Sequence, residues 1–244
     1  FLLSPTASGK SLMIYSLVRY HIKADRNILI VVPTTSLVEQ MYKDFEEYGW
    51  MASKYCHKIY AGAEKYTDHQ VVITTWQSVY KEPRKWFDRF DVVIGDEAHL
   101  FKAKSLTTLM AKLHECKYRV GFTGTLDGSS TNQLVLEGLF GRCSQVTKTK
   151  DLMKAGYVAK LKVRILVFEH PKQSFDSYQD EIDWIVENPA RNKFIKNLVK
   201  DLEGNTLVLF NYVERHGEPL YELINSDVDK PTFFVHGGVD VSDR

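Results

Sequence analysis

Lys10 and Ser11 stand directly after Gly9, at the end of the small-residue stretch Ser4-Pro5-Thr6-Ala7-Ser8-Gly9. An apolar strand candidate, residues 1–3, precedes the stretch, and a helical run, residues 12–18, follows it. In a strand, loop, Lys-Ser, helix layout, backbone N–H groups cradle phosphate oxygens and the helix N-terminus adds its positive dipole end. Lys10 then reaches the outer phosphates and the Ser11 hydroxyl binds Mg²⁺. The candidate nucleotide contacts are Pro5, Thr6, Ala7, Ser8, Gly9, Lys10 and Ser11. Ser4 stands where the pattern GxxxxGK[ST] has its first glycine, and Pro5 makes the loop stiffer than a glycine-rich one. A helix cap followed by a solvent lysine would use the same residues.

Phe90-Asp91-Val92-Val93-Ile94-Gly95-Asp96-Glu97-Ala98-His99 is an apolar strand candidate ending in two acids. A phosphate loop leaves its Mg²⁺ half held, and a carboxylate at a neighbouring strand end completes the coordination. Asp96 suits that role, and Glu97 can activate the attacking water as general base. Capping of the next helix is the plainer use of the two acids. Their order after the Lys10 loop favours chemistry: hydrolysis of ATP with Mg²⁺, with Lys10, Asp96 and Glu97 catalytic and Ser11 and Asp96 on the metal.

Asp96-Glu97-Ala98-His99 is the box of the DEAH-type superfamily 2 helicases, and further segments resemble that family in order. Val31-Val32-Pro33-Thr34-Thr35-Ser36-Leu37 with Gln40 looks like motif Ia, and Ile73-Thr74-Thr75-Trp76-Gln77-Ser78 like motif Ic. Gly121-Phe122-Thr123-Gly124-Thr125-Leu126 looks like motif III, and Leu207-Val208-Leu209-Phe210-Asn211 like motif IV. A loop without the first glycine is usual in that superfamily. Across nearly the whole chain the resemblance is to the UvsW-type helicases, with XPB-like helicases more distant. Trp76-Gln77-Ser78-Val79, Lys85-Trp86-Phe87, Gly138-Leu139-Phe140-Gly141 and Arg191-Asn192-Lys193 carry it outside the motifs.

The resemblance implies an ATP-dependent motor on branched or duplex DNA, or on an RNA–DNA hybrid, performing fork regression, branch migration or R-loop unwinding. It implies that His99, Thr123 and Thr125 couple nucleotide state to lobe movement. It also implies that Pro33, Thr34, Thr35, Thr74, Thr75, Trp76 and Gln77 meet the nucleic-acid backbone, with His236 and Gly237 from a second lobe. Hydroxyls and backbone N–H groups hold phosphate without reading bases, as a translocating enzyme requires. For Trp76 a core position, and for His236-Gly237-Gly238 a plain turn, are equally good readings. The family's arginine-finger stretch, of the Gln-x-x-Gly-Arg-x-Gly-Arg kind, is not found. Since such a finger is worth roughly 10³–10⁵ in rate, this chain alone is expected to bind nucleotide weakly and hydrolyse it slowly.

The elements that must position these residues follow from periodicity. Ile28–Val32 is a β-branched run of the buried parallel-strand type. Val71–Thr75, Val92–Gly95 and residues 118–122 are further short strands. Residues 36–48 read as a helix with Leu37, Met41 and Phe45 on one face, and residues 107–113 and 131–139 as two more. Strand–helix alternation predicts a doubly wound parallel α/β layer, whose ligands sit beyond the carboxyl ends of the strands. Lys10, Pro33, Thr74, Asp96 and Thr123 all fall at or just after strand candidates, so they are expected on one edge.

The second half repeats this grammar. Strands are predicted over residues 161–168, 207–210 and 232–235, and helices over 218–224 and from Asn188-Pro189, with Asn188 as N-cap. The latter helix is expected to turn Phe194, Ile195, Leu198 and Leu202 inward. The expected organisation is a first RecA-like lobe over 1–148, a junction over 149–162, and an incomplete second RecA-like lobe over 163–244.

Bulk properties agree with a globular protein: 44% of the 244 residues are hydrophobic and the net charge is +1. Residues 1–150 carry 20 Lys and Arg against 15 Asp and Glu, and residues 151–244 carry 12 against 16. A mildly basic first half is compatible with a DNA backbone partner. No apolar run is long enough to span a membrane. The three cysteines have no metal spacing and read as reduced thiols of a cytoplasmic protein, in a bacterial host or phage-infected cell. Because Phe1 heads a strand candidate and no signal peptide precedes it, the chain is expected to be a fragment. The motor subunit of a restriction enzyme shares such a lobe, but no convincing nuclease motif accompanies it. A non-catalytic scaffold is disfavoured by the intact acids and lysine, and a metabolic kinase by the second α/β half.

Overall fold

The computed structural model of the chain describes residues 1–126 and 130–237. Two compact units divide it, Phe1–Lys162 and Val163–Arg244. The first carries seven strands: β1 (Leu2–Leu3), β2 (Ile28–Val32), β3 (Cys56–Ile59), β4 (Val71–Thr75), β5 (Val92–Gly95), β6 (Tyr118–Thr123) and β7 (Ser144–Gln145). They form one sheet in the order β3-β4-β2-β5-β6-β1-β7, every pairing parallel. Parallel neighbours need crossovers, and helices supply most of them. These are α1 (Lys10–Lys23), α2 (Thr35–Glu47), the single turns α3 (Ala52–Tyr55), α4 (Trp76–Val79) and α5 (Arg84–Phe87), then α6 (Lys104–Lys112), α7 (Ser130–Phe140) and α8 (Thr149–Lys154).

Residues of β2, β4 and β5 are buried on both faces, because helices cover both sides of the sheet. Alternate side chains feed two cores. Leu29, Val31, Val72 and Val93 pack with Phe87, Phe90, Phe101 and Phe140 on one face. Ile28, Ile30, Val32, Ile73 and Ile94 pack with Ile14, Val18, Met41 and Phe45 of α1 and α2 on the other. Register puts the strand ends level: Val31 lies opposite Gly95 and Thr74, Gly95 opposite Gly121, and Leu3 opposite Thr123. The expected single edge is what the backbone builds. The helix expected over 36–48 runs Thr35–Glu47, with Thr34 accepting from the Leu37 N–H as its cap.

The second unit differs from its sequence reading. It holds α9 (Tyr178–Glu187), α10 (Pro189–Asp201), a π-helical turn (Val213–Gly217) and α11 (Glu218–Asn225). Among its described residues no strand forms. The segment 161–168 forms no regular element and is exposed, with Ile165 85% accessible. Residues 207–210 and 232–235 form no strand either, although Phe210 and Phe234 stack at 5.1 Å. Exposure alternates along both, with Leu207, Leu209 and Phe233 outward. Residue type favours β here, but a strand also needs a hydrogen-bonded neighbour. Asn188 caps α10 as expected, accepting from the Arg191 N–H at 3.0 Å. Val199 is its buried residue and Ile195 packs beside it as expected, with Leu198 half-buried, whereas Phe194 and Leu202 are 42% exposed. No helix among the described residues is long and apolar enough to cross a membrane.

Gly95 and Gly121 permit the turn after β5 to lie on the sheet. A Cβ at Gly121 would stand 2.9 Å from the Ala98 Cβ and 3.0 Å from the Phe140 ring. Gly121→Ala is therefore expected to lower stability by about 1–3 kcal/mol through overpacking, read as a shifted urea midpoint. An unchanged midpoint would refute the close-approach argument.

Candidate nucleotide site

The loop between β1 and α1 is held by its own short side chains. Ser4 is buried, its hydroxyl meets that of Ser8 at 2.5 Å, and Ser8 Oγ donates to the Pro5 carbonyl. Ser4 is thus more than a substitute for glycine: it pins the loop from beneath. Ala7 (φ 63°) and Gly9 (φ 81°) both adopt left-handed backbone, which curls the loop over the start of α1. Pro5 is buried, Thr6, Ala7 and Gly9 are exposed, and Ser11 is half-buried in the first turn of α1.

Asp96 follows β5 and is anchored by its N–H to the Val31 carbonyl at 2.9 Å. Its carboxylate accepts from the Glu97 N–H at 2.9 Å, while Glu97 sits at φ 49° as the cap of the 3₁₀ turn Ala98–Lys102. A left-handed glutamate stores backbone strain of about 1–3 kcal/mol, a cost that clusters at working sites. The reward is placement. Lys10 Nζ lies 2.7 Å from Glu97 Oε1 and 2.9 Å from Asp96 Oδ1. Burial opposes the charge on Lys10, yet the hydrogen bonds it donates to both acids and their negative charges more than offset it. Lys10 is held above its ordinary value. Asp96 is only 5% exposed, so its charge needs this neutralisation.

Thr123, at the end of β6, ties the two halves together. Its carbonyl accepts from the Ser4 N–H at 2.8 Å. Its hydroxyl donates to the Thr125 carbonyl at 2.9 Å and lies 2.8 Å from His99 Nδ1. With the hydroxyl hydrogen spent on Thr125, the proton of the second bond belongs to His99 Nδ1. That assignment also suits the Glu97 carboxylate, 3.3 Å from the same nitrogen. Lys10, Asp96, Glu97, His99 and Thr123 therefore form one connected cluster.

The other site candidates divide by exposure. Pro33, Trp76, Asp96 and Leu100 border one shallow nook of about 10 Å³ beside the acids. Thr34, Thr35 and Gln77 are exposed at the same edge. Thr74 is fully buried and its hydroxyl donates to the Ile59 carbonyl at 2.9 Å, while Thr75 Oγ1 meets Ser78 Oγ. Their hydroxyls are spent on the fold. Trp76 is half-buried against Tyr80 and the core, which satisfies its plainer reading. His236 and Gly237 belong to the second unit, where the His236 ring lies against Phe234; Gly238 falls outside the described residues.

Residues 1–128 match the family model of the type III restriction enzyme res subunit. The chain is 36% identical to the ATP-dependent DNA helicase uvsW of Enterobacteria phage T4 over 98% of its own length and 50% of the relative's. The crystal structure of T4 UvsW aligns with 99% of the chain and 49% of that protein, at 31% identity and a TM-score of 0.54. The Pyrococcus furiosus Hef helicase domain aligns with 93% of the chain and 50% of that domain, at a TM-score of 0.55 and 13% identity, a likeness of fold alone. The chain thus belongs to the res-subunit family of superfamily 2 helicase folds, with RecA-like α/β architecture and marked similarity to UvsW. It spans about half the length of these relatives.

Lys10→Ala is expected to reduce stability by about 1–3 kcal/mol in the absence of nucleotide, because two acids lose their cation. A raised lysine pKa contributes stability that is whole below the unfolded value of 10.5 and is lost as pH rises through the folded value. Urea unfolding of both proteins should therefore show a gap at pH 7 to 10 that closes in stronger alkali. A gap that is constant through strong alkali would exclude the ion pair as its source.

Proposed function

We propose that this chain is the ATP-hydrolysing portion of a superfamily 2 DNA helicase or translocase acting on branched DNA or R-loops. The observation that carries the reading is the Lys10 ammonium poised against Asp96 and Glu97 at the strand-end edge. A cation paired only with two acids, beside a loop curled by left-handed residues, fits a site for phosphate and Mg²⁺. Magnesium-bound ATP supplies the transferable phosphoryl group. In this reading Pro5, Thr6, Ala7, Ser8 and Gly9 offer the loop, and Lys10 turns from the acids to the outer phosphates. Ser11 and Asp96 hold the metal. Glu97 takes the proton of the attacking water, and Lys10 offsets the negative charge that develops.

His99, Thr123 and Thr125 carry the state of Glu97 to the end of β6. Pro33, Thr34, Thr35, Trp76 and Gln77 supply the nucleic-acid edge, with Thr74 and Thr75 shaping it from within and His236 and Gly237 adding contacts from the second lobe. The lobes are residues 1–148 and 163–244 joined through 149–162, and the protein works in the cytoplasm of a bacterial or phage-infected cell. The alignment with uvsW over nearly the whole chain supports a helicase over a restriction motor.

ATP hydrolysis measured on the protein of full natural length, with and without a forked DNA, tests the reading. The rate should rise with the fork and fall by about 10²–10⁴ in Glu97→Gln, with a comparable loss in Lys10→Ala. A motor driven equally by linear duplex would point to the restriction-enzyme alternative. Absence of hydrolysis under all conditions would leave a non-catalytic scaffold.

A further inference from the structure

The second unit contains a cleft of about 210 Å³ lined by Phe168, His170, Trp184, Ile185, Asn188 and Arg191. None of these residues has a part in the ATP chemistry or the nucleic-acid edge described above. The half-buried Trp184 is central. His170 meets its ring at 4.6 Å and 58°, and Phe175 at 5.7 Å and 51°. Neither neighbour stacks flat on the indole. Arg191 lies in the first turn of α10, and its guanidinium donates to Asn192 Oδ1 at 3.2 Å. Arg191 has no carboxylate partner among the described residues, whereas Lys196 and Lys200 share Asp227 and Arg215 takes Asp183. The local cation is left uncompensated.

The charge of Arg191 is also felt in the interior. His216, in the π-helical turn, is 6% exposed, and neither ring nitrogen has a hydrogen-bond partner. Burial, then the charge of Arg191, push its pKa below the ordinary value and keep the ring neutral. A neutral imidazole offers one donor and one acceptor. Leaving both unmet in an interior costs about 1–3 kcal/mol per group and calls for an explanation. Single π turns within helices occur often at functional sites. The volume also selects. Clefts for drug-sized ligands run to roughly 300–1,000 Å³, so this one suits a single flat ring.

We propose that this cleft captures one unstacked nucleobase of a single strand, its ring on Trp184 and its adjoining phosphate on Arg191. Aromatic faces beside an arginine are the recurring means of holding single strands without reading sequence. The proposal rests on the nucleic-acid reading above and adds a contact point outside the family-like motifs.

The test uses the 244-residue chain and a labelled oligothymidylate carrying one 2-aminopurine, with affinity read by anisotropy over a salt series. Trp184→Ala should weaken binding about 5- to 140-fold and Trp184→Phe by less than about fivefold, since a phenyl ring still stacks. Arg191→Gln should reduce the salt slope by about 0.7, the share of one single-strand phosphate. The 2-aminopurine emission should be quenched by the parent chain and not by Trp184→Ala. Unchanged affinity and quenching in Trp184→Ala would overturn the proposal while leaving fork-stimulated hydrolysis intact. Equal losses in the Ala and Phe variants would mark a structural role and overturn it too. No single-strand binding by the parent chain would overturn it, and fork-stimulated hydrolysis would then show whether the motor reading survives.

Discussion

Everything at the candidate site depends on parallel pairing of strands whose ends are level. A parallel sheet delivers the residue after every strand to the same edge, whatever the separation in sequence. Lys10 and Asp96 come from strands that are not neighbours, since β6 lies between β1 and β5. The end of β6 must therefore mediate between them. Thr123 does so with both of its polar groups, its carbonyl holding the Ser4 N–H and its hydroxyl lying against His99. A two-residue strand such as β1 has little hydrogen bonding of its own. Its register is secured by β6 on one side and by β7 on the other.

Charge explains why the acids and the lysine close on one another. Asp96 is almost fully buried at a strand end, and an uncompensated carboxylate there would be costly. Lys10 meets that need at 2.9 Å while also reaching Glu97. The same geometry makes exchange feasible. Lys10 keeps 22% of its side chain exposed and Glu97 31%, so both remain open to solvent. A metal cation on Asp96 would replace the charge that Lys10 now provides, freeing the lysine for phosphate.

Much of the first unit was legible in the sequence because its strands are continuous β-branched runs buried on both faces. Ile28–Val32, Val71–Thr75 and Val92–Gly95 leave no polar face to confuse the period. β3, with His57 and Lys58 at its centre, and β7, Ser144-Gln145, give no such signal; sheet pairing alone makes them strands. The motif residues were legible by type, but their division was not. Nothing in Thr74-Thr75 says that these hydroxyls turn inward to Ile59 and Ser78 while Gln77 faces out. Left-handed Ala7 and Glu97 have no sequence mark either, since neither residue type favours that conformation.

The second unit shows the limit of propensity from the other side. Leu161, Val163, Ile165 and Val167 are strong strand formers, yet all four are more than 70% exposed. Local preference amounts to about 1 kcal/mol at most and depends on neighbours, whereas fixing an unpaired backbone costs roughly that much per residue. Alternating exposure along 207–210 and 232–235 places Val208, Phe210 and Phe234 towards the helices, and the Phe210–Phe234 stack ties the two segments together. Side-chain packing against helices α10 and α11 thus settles the inward faces of these segments without a strand ladder among the described residues.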